Sequence, residues 1–328
     1  MRGTGNNTML SRVADSLYWM SRYLERAEHT ARLMDVDLQL QLDQSGDTGS
    51  EHWKRLVKAA RVPIKDDMEA MEGTALTHAL TFDRANPSSI VSCVSSAREN
   101  LRQVREQCSS EMWEQLNRLY LQINSTTPND AWIRHSHAFF RAVQEGAHLF
   151  QGVTDSTMSH GEGWHYIQLG RYVERTDAVA MLIGSHFTRL PNPSDHAVES
   201  EEYLEWVGLL KSCAAFEAYC KTYTAELRPL RVAEFLLLNP EFPHAVRFSV
   251  EMVHAALRAI ADLTERKADQ PVRLSGRLRA ALSFSQIDEI LADGALAYVE
   301  NIRAQCAQAH TAIHHIYFDY PVESAMLA

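Results

Sequence analysis

The chain has 328 residues, and its 32 Lys and Arg against 42 Asp and Glu give a formal net charge of −10. This acidic balance disfavours nucleic acid and anionic membrane surfaces as partners, because both repel a negatively charged protein. No stretch approaches the roughly 20 consecutive apolar residues of a membrane span, and residues 1–8 lack the apolar core of a secretory signal, so we expect a cytoplasmic protein with a disordered segment over 1–8.

The first predicted element is a long amphipathic helix over residues 10–42. Apolar side chains recur there at alternating spacings of three and four, which places them on one face of a helix: Val13, Leu17, Met20, Leu24, Ala27, Ala31, Met34 and Leu38. We expect this face to lie in the core.

Polar, Gly-rich or Pro-rich breaks then divide the rest of the chain into further helical patterns. In chain order the breaks fall at residues 43–50, 86–89, 125–130, 152–163, 190–194, 239–243 and about 268–276. Alternating β-branched runs joined by hairpin turns do not occur, and the segment before each break has the period of a helix. The sequence therefore predicts an all-α fold, a multi-helix bundle.

A five-residue motif occurs twice in the chain. Arg22-Tyr23-Leu24-Glu25-Arg26 returns as Arg171-Tyr172-Val173-Glu174-Arg175, 149 residues later. That offset is much longer than the 20 to 50 residues of solenoid repeats. It favours a duplicated helical unit, with a first half of about 9–150 and a second half of about 151–320 in one domain over 9–320, related by a pseudo-two-fold axis.

The repeated motif is the strongest candidate for a functional site. Residues three or four apart share a helix face, so each copy presents an arginine beside a glutamate. If the copies meet, their guanidinium groups would suit a carboxylate or phosphate and their glutamates an amine, as in an amino acid or peptide end. The structural alternative is a pure scaffold, in which these pairs only join helices.

A second alternative is a stand-alone enzyme with a di-metal centre. Glu145-x-x-His148 and Glu251-x-x-His254 have the spacing that, together with Glu25 and Glu174, imitates the ligand set of four-helix di-iron proteins. Glu-x-x-His also arises by chance in a chain with 15 histidines, and arginines crowd both glutamates. We therefore expect no cofactor and no metal site.

Several segments together resemble the alpha-E family of bacterial helical proteins, which carry a Glu-Arg motif. The likeness begins with Leu10–Glu28, continues through Ala97–Arg105 and Ser110–Asn117, and returns at Asp155–Met158 with the second motif and at Leu227–Pro243. It spans about residues 9 to 320. The matching second block adds secondary candidates for substrate binding: Arg98, Glu99, Asn100, Arg105, Glu111 and Trp113.

The resemblance implies that the protein acts together with partner proteins. Members of the family accompany circularly permuted ATP-grasp proteins and transglutaminase-like proteins in systems inferred to make or attach short peptides. An accessory role in ATP-dependent amide-bond formation or aminoacyl transfer follows, with a peptide or amino acid bound at Arg22, Glu25, Arg26, Arg171, Glu174 and Arg175. The chain has no recognisable phosphate-binding loop, so ATP would be used by the partner. Catalytic residues are not assigned, and whether this chain is itself an enzyme stays open.

Overall fold

The computed structural model describes residues 9–43, 73–126, 130–189, 200–224, 226–264 and 269–318. The expectations for residues 1–8, for 44–50 of the first break, for 127–129 of the third break and for the break at 190–194 lie outside this part of the chain. The helices of the first half are α1 Ser11–Asp43, α2 Gly73–Thr81, α3 Ile90–Gln103, α4 Ser110–Asn124 and α5 Asp130–Thr157. Those of the second half are α6 Glu162–Arg189, α7 Ser200–Ser212, α8 Phe216–Tyr223, α9 Pro229–Leu238, α10 Val246–Thr264, α11 Asp269–Phe284, α12 Ile287–Ala292 and α13 Ala295–Ile313.

The all-α prediction is confirmed, since the described residues contain helices and turns but no strand. A 3₁₀ turn, Arg105–Gln107, separates α3 from α4, and a π-helical turn, His314–Phe318, follows α13. The predicted break at 152–163 is too long, because α5 continues to Thr157 and only 158–161 interrupt the helices. The break at about 268–276 is also misplaced, since α11 begins at Asp269.

Helix α1 confirms the first predicted element within one residue at each end. Its predicted apolar face is buried, with Leu17, Met20, Ala27 and Met34 fully enclosed. Helix α1 packs against α3, α5 and α6 at once, so most of its circumference is covered. It is the central helix of the first half.

The two halves repeat one packing order. In the first, α1 contacts α3 and α5, and α4 contacts both of these; in the second, α6 contacts α10 and α13, and α11 contacts both of these. Helices α1 and α6 join the two four-helix units along their length. This correspondence agrees with the predicted pair of related halves, whose origin by duplication stays a prediction.

Helices α1 and α6 run in parallel. The backbone N–H of Met9 donates to Glu162, Arg22 donates to Glu174, and Arg175 donates to Glu25, with sequence separations of 153, 152 and 150 residues. A nearly constant separation means that both chains advance in the same direction. The predicted motif copies therefore lie side by side, at the same level of the bundle.

A glycine allows this close approach. A Cβ built on Gly170 of α6 would lie 2.3 Å from the backbone oxygen of Tyr18 in α1, closer than side-chain carbons come in proteins. A helix backbone cannot retreat as a flexible side chain does. Gly170 thus sets the distance between the two motif-bearing helices one residue before the second motif begins.

Two further properties bear on the setting of the protein. None of the helices in the described ranges combines the length and apolarity that a bilayer crossing requires. All five cysteines are free thiols, and those at 93 and 213 are buried in the core. Burial raises the pKa of both buried thiols to about 12, so they remain protonated and unreactive.

Candidate functional site

The two motif copies meet across the α1–α6 interface, where each glutamate is bound by arginines of the opposite helix. Glu174 accepts from Nε of Arg22 at 2.8 Å through Oε2 and from Nε of Arg26 at 2.7 Å through Oε1. A second bond joins Nη2 of Arg26 to Oε2 at 3.2 Å. Both carboxylate oxygens of Glu174 are therefore occupied by guanidinium groups from α1.

Glu25 is the counterpart of Glu174 and is bound less completely. Nε of Arg175 donates to its Oε1 at 2.5 Å, and Nε2 of Gln151 donates to its Oε2 at 3.2 Å. Nε of Arg171 is 3.8 Å from the same Oε2, within range of an ion pair but beyond a hydrogen bond. Arg175 is fixed further by a bond from Nη1 to the carbonyl oxygen of Pro243, at 3.2 Å.

We call the six residues Arg22, Glu25, Arg26, Arg171, Glu174 and Arg175 the twin-motif cluster. Glu25 and Glu174 are only 2% and 1% exposed, as the helical geometry predicts for side chains that border the apolar face. Helical geometry places the second arginine of each copy further from the apolar face, yet Arg175 is 3% exposed. The reason is that α6 covers α1 on this side, so both polar faces become interior. Four guanidinium groups then share two carboxylates.

The electrostatics separate Arg171 from the other three arginines. Burial is the largest single effect and acts to lower the pKa of Arg22, Arg26 and Arg175, but the charge and hydrogen bonds of the opposite glutamate, together with smaller effects of neighbouring groups, raise the pKa of each. For Arg171, burial and then the neighbouring Arg175 lower the pKa, against a weaker opposing effect of Glu25. Arg171 is thus the arginine whose charge this cluster compensates least.

A tyrosine and a histidine complete the surroundings of Arg22. The hydroxyl of Tyr18 lies 2.7 Å from Nδ1 of His310, and Nη1 of Arg22 donates to that hydroxyl at 3.4 Å. Burial and then Arg22 lower the pKa of His310 to about 3, so this imidazole stays neutral. Burial raises the pKa of Tyr18 to about 12. The guanidinium of Arg22 also lies over the ring of Trp19, at 4.8 Å.

A third buried carboxylate, that of Glu28, follows Glu25 by three residues, about one helical turn. Glu28 pairs with Arg32 on α1, and its Oε1 is 3.5 Å from Nε2 of His148. Although burial raises the pKa of Glu28, the charge of Arg32 and a hydrogen bond with His148 hold it well below its usual range. Burial and then Arg175 lower the pKa of His244 well below the ordinary value for histidine. Glu28 is therefore ionised, whereas His244, which both Arg175 and Glu28 influence, is neutral.

Three of the six secondary candidates, Arg98, Arg105 and Trp113, come together where α3, the 3₁₀ turn and α4 meet. Arg98 lies over the rings of Trp113 and Tyr120, at 5.2 and 4.5 Å, and Arg105 lies over Trp113 at 5.2 Å. Nε of Arg98 donates to Asn117 at 2.8 Å. The others do not join them: Glu99 pairs with Arg102, Asn100 bonds its own helix, and Glu111 is exposed in the first turn of α4.

The residues of the di-metal alternative are not brought together. Exposed Glu145 lies 3.9 Å from Arg141, whereas His148 turns towards Glu28. Glu251 pairs with Arg247 in α10, and His254 bonds Ser275 of α11. Across the described ranges, no three His, Cys, Asp or Glu side chains are arranged to hold a metal ion. The shared spacing thus reflects separate surface and interhelical contacts.

The sequence identified the six members of the twin-motif cluster but not their partners. Tyr18 precedes Arg22 by one helical turn, so its position on the same face was a usable signal. His310 lies 288 residues from Arg22, and Gln151 lies 126 residues from Glu25. Sequence spacing carries no information on contacts of that range. Only the packing of α5 and α13 against the central helices reveals them.

Comparison with known proteins agrees with the motif and the helical architecture. Residues 9–318 match the Alpha-E model, described as a predicted alpha-helical domain with a conserved ER motif. Relatives include an uncharacterized protein of Mycobacterium bovis and two of Mycobacterium tuberculosis, each 23% identical over 326 residues. Each match covers 92% of this chain but 35% of the relative, so the chain spans about a third of their length. No solved structure matches significantly. On the near-complete family match, the chain belongs to the Alpha-E family.

Proposed function

We propose that this chain is the accessory protein of a circularly permuted ATP-grasp amide ligase, and that it binds the peptide or amino-acid substrate at the twin-motif cluster. The partner uses ATP to activate a carboxylate, and this chain holds one reactant for amide-bond formation or aminoacyl transfer. A transglutaminase-like protein is a further partner in the same proposal. We place the system in the cytoplasm, in keeping with five free thiols.

The observation that carries the proposal is the charge of the cluster. Four arginines and two glutamates lie together with a formal excess of two positive charges, and both glutamates are almost fully enclosed. Interior charge is ordinarily balanced, because an unbalanced ion is costly away from water. The chain as a whole is acidic, which makes this local excess more distinctive. A substrate with a carboxylate would balance it.

The proposal is tested by reconstitution with the co-encoded ATP-grasp protein. We expect the two proteins to purify together and ATP hydrolysis, with amino acid or peptide present, to rise when this chain is added. Arg26→Gln should weaken the stimulation, whereas Arg102→Gln, on the exposed face of α3, should leave it unchanged. Absence of both co-purification and stimulation would refute the accessory role.

A second candidate function, the pure scaffold, is favoured by the reciprocal bonding. Each glutamate takes an arginine from the other helix at 2.8 Å or less, so the cluster by itself joins the two halves. On this alternative, substitutions in the cluster lower the melting temperature but leave ligase output per folded molecule unchanged. Output normalised to the folded fraction therefore separates the two functions.

A further inference from the structure

Arg171 is the one member of the twin-motif cluster whose side chain makes no hydrogen bond to the part of the chain that the structure describes. Its Nε is completely buried and lacks an acceptor, although 17% of the side chain remains exposed. The nearest carboxylate oxygen, on Glu25, is 3.8 Å away. A buried donor without a partner lowers stability because it has lost its hydrogen bonds to water, so such groups are rare in folded proteins.

The equivalent arginine of the first motif copy shows what Arg171 lacks. Arg22 bonds its opposite glutamate at 2.8 Å, and Tyr18 and His310 surround its outer nitrogen. Arg171 has the same place in the repeated packing, but Gln151 occupies the oxygen of Glu25 that it would use. The two copies therefore differ in hydrogen bonding: the fold provides partners for the guanidinium of Arg22 but none for the Nε of Arg171.

The charges around Arg171 indicate which ligand it suits. Arg171 and Arg175 share Glu25, so these three side chains together carry one positive charge. Asp155, whose Oδ1 accepts hydrogen bonds from Trp164 and Gln168, raises the pKa of Arg171 less than Glu25 does. With Glu25 and Asp155 close by, a doubly charged phosphate is disfavoured. A carboxylate with a cationic group nearby fits better.

We propose that Arg171 is the carboxylate-binding residue of the cluster, taking the carboxylate of an amino acid or short peptide, with Glu25, Gln151 and Arg175 as positioning residues. This inference rests on the proposed function and makes it specific. The carboxylate reaches the guanidinium from the side on which the Arg171 side chain remains exposed, and gives it an acceptor that the described part of the chain does not provide. It also compensates the charge that burial and Arg175 leave unbalanced.

The test uses the purified full chain without any partner, so it is independent of the ligase. Diglycine, glycinamide, acetate and inorganic phosphate are titrated by calorimetry. We expect diglycine to bind most tightly, acetate more weakly, and glycinamide and phosphate not measurably. Arg171→Gln should weaken diglycine binding about tenfold or more, the effect of losing one charged hydrogen-bonding partner. Arg171→Lys keeps the charge but not the planar fork, and should weaken it less.

Melting temperatures without ligand provide a second readout. Because Arg171 has no internal hydrogen bond to lose, Arg171→Gln should melt at or above the temperature of the unchanged chain, whereas Arg22→Gln should melt lower. Arg102→Gln is the matched control and should change neither melting nor binding. Phosphate binding as tight as that of diglycine, diglycine binding that survives Arg171→Gln, or no binding of any carboxylate would each overturn the inference. Co-purification with the ligase in that last case would leave the proposed function standing.

Discussion

At the scale of single residues, the buried arginines of the twin-motif cluster depend on the carboxylates that compensate their charge. The fold does not need a buried ion pair, since apolar side chains of similar volume often replace one without loss. Once the arginines are present, however, removal of their carboxylate leaves charge without compensation. Glu174 is therefore more critical than its small number of atoms implies, because it serves both Arg22 and Arg26.

We predict that Glu174→Gln lowers the free energy of unfolding by about 3 to 5 kcal/mol, the range for a broken buried pair. Glu25→Gln should lower it less, because a single arginine lies within hydrogen-bond distance of Glu25. Urea denaturation followed by circular dichroism measures both. The exposed pair of Glu99 with Arg102 gives the control, and Glu99→Gln should leave the midpoint in place. Equal midpoints for Glu174→Gln and Glu99→Gln would contradict the burial argument.

His310 gives a prediction on pH. Its pKa in the folded chain is about 3, whereas an unfolded histidine titrates near 6.5, so between these values the unfolded chain binds more protons. The free energy of unfolding should therefore fall as pH falls from about 6.5 towards 3. His310→Gln removes this contribution and should make the loss of stability between pH 7 and pH 5 less steep. Urea midpoints at the two pH values measure the slope, and an unchanged slope would be incompatible with a neutral buried imidazole.

At the scale of elements, the interface of α1 and α6 depends on backbone proximity. The hydrogen bonds of the cluster are short because Gly170 lets the helices approach. A longer interhelical distance would stretch every bond of the cluster together. The site and the packing are therefore one structural unit.

We predict that Gly170→Ala lowers the free energy of unfolding by about 1 to 3 kcal/mol, since its Cβ would meet the backbone oxygen of Tyr18. Gly152 in α5 is the matched control, because nothing lies within 4 Å of a Cβ built there. Gly152→Ala should raise stability by about 0.5 to 1 kcal/mol through its helix propensity. Thermal or urea denaturation of both variants decides the matter, and the same sign of change in both would refute the close-approach argument.

The elements also show how far sequence reasoning reaches. The apolar period of α1 fixed its bounds within one residue, because a long helix covered on several sides shows a continuous pattern. The breaks predicted at 152–163 and about 268–276 are misplaced because each was bounded by a glycine, Gly152 or Gly276, that lies inside a helix and not at a turn. The repeat identified the six residues but left open whether the two copies meet, because their contact depends on helices placed side by side by interactions between residues about 150 apart in the chain.

At the scale of the whole molecule, the two four-helix units contact each other through their central helices, α1 of the first unit and α6 of the second. Buried side chains of both α1 and α6 belong to one continuous apolar core. Units joined in this way lose their common surface when either one opens. The two halves are thus expected to behave as one cooperative body despite the repeated packing order.

We predict a single unfolding transition by heat or urea, with coincident midpoints by circular dichroism and tryptophan fluorescence. In hydrogen exchange, the amides of α1 and α6 should be the slowest, because they open only with the whole molecule. The short helices α8 and α12 should exchange faster. Two separate transitions, or faster exchange in α1 than in α12, would mean that the halves are independent domains.

The glycine at the α1–α6 contact has a consequence for self-association. The position in α1 that corresponds to Gly170 is Ser21, 149 residues earlier in the chain. If a second copy of α1 took the place of α6, the serine Cβ would fall where only a hydrogen atom fits. We therefore expect the motif face of the first half to pair poorly with a second copy of itself, although its arginines and glutamate are complementary to themselves. The absence of a Cβ at Gly170 thus favours pairing of α1 with α6 of the same polypeptide over pairing with a second copy of α1.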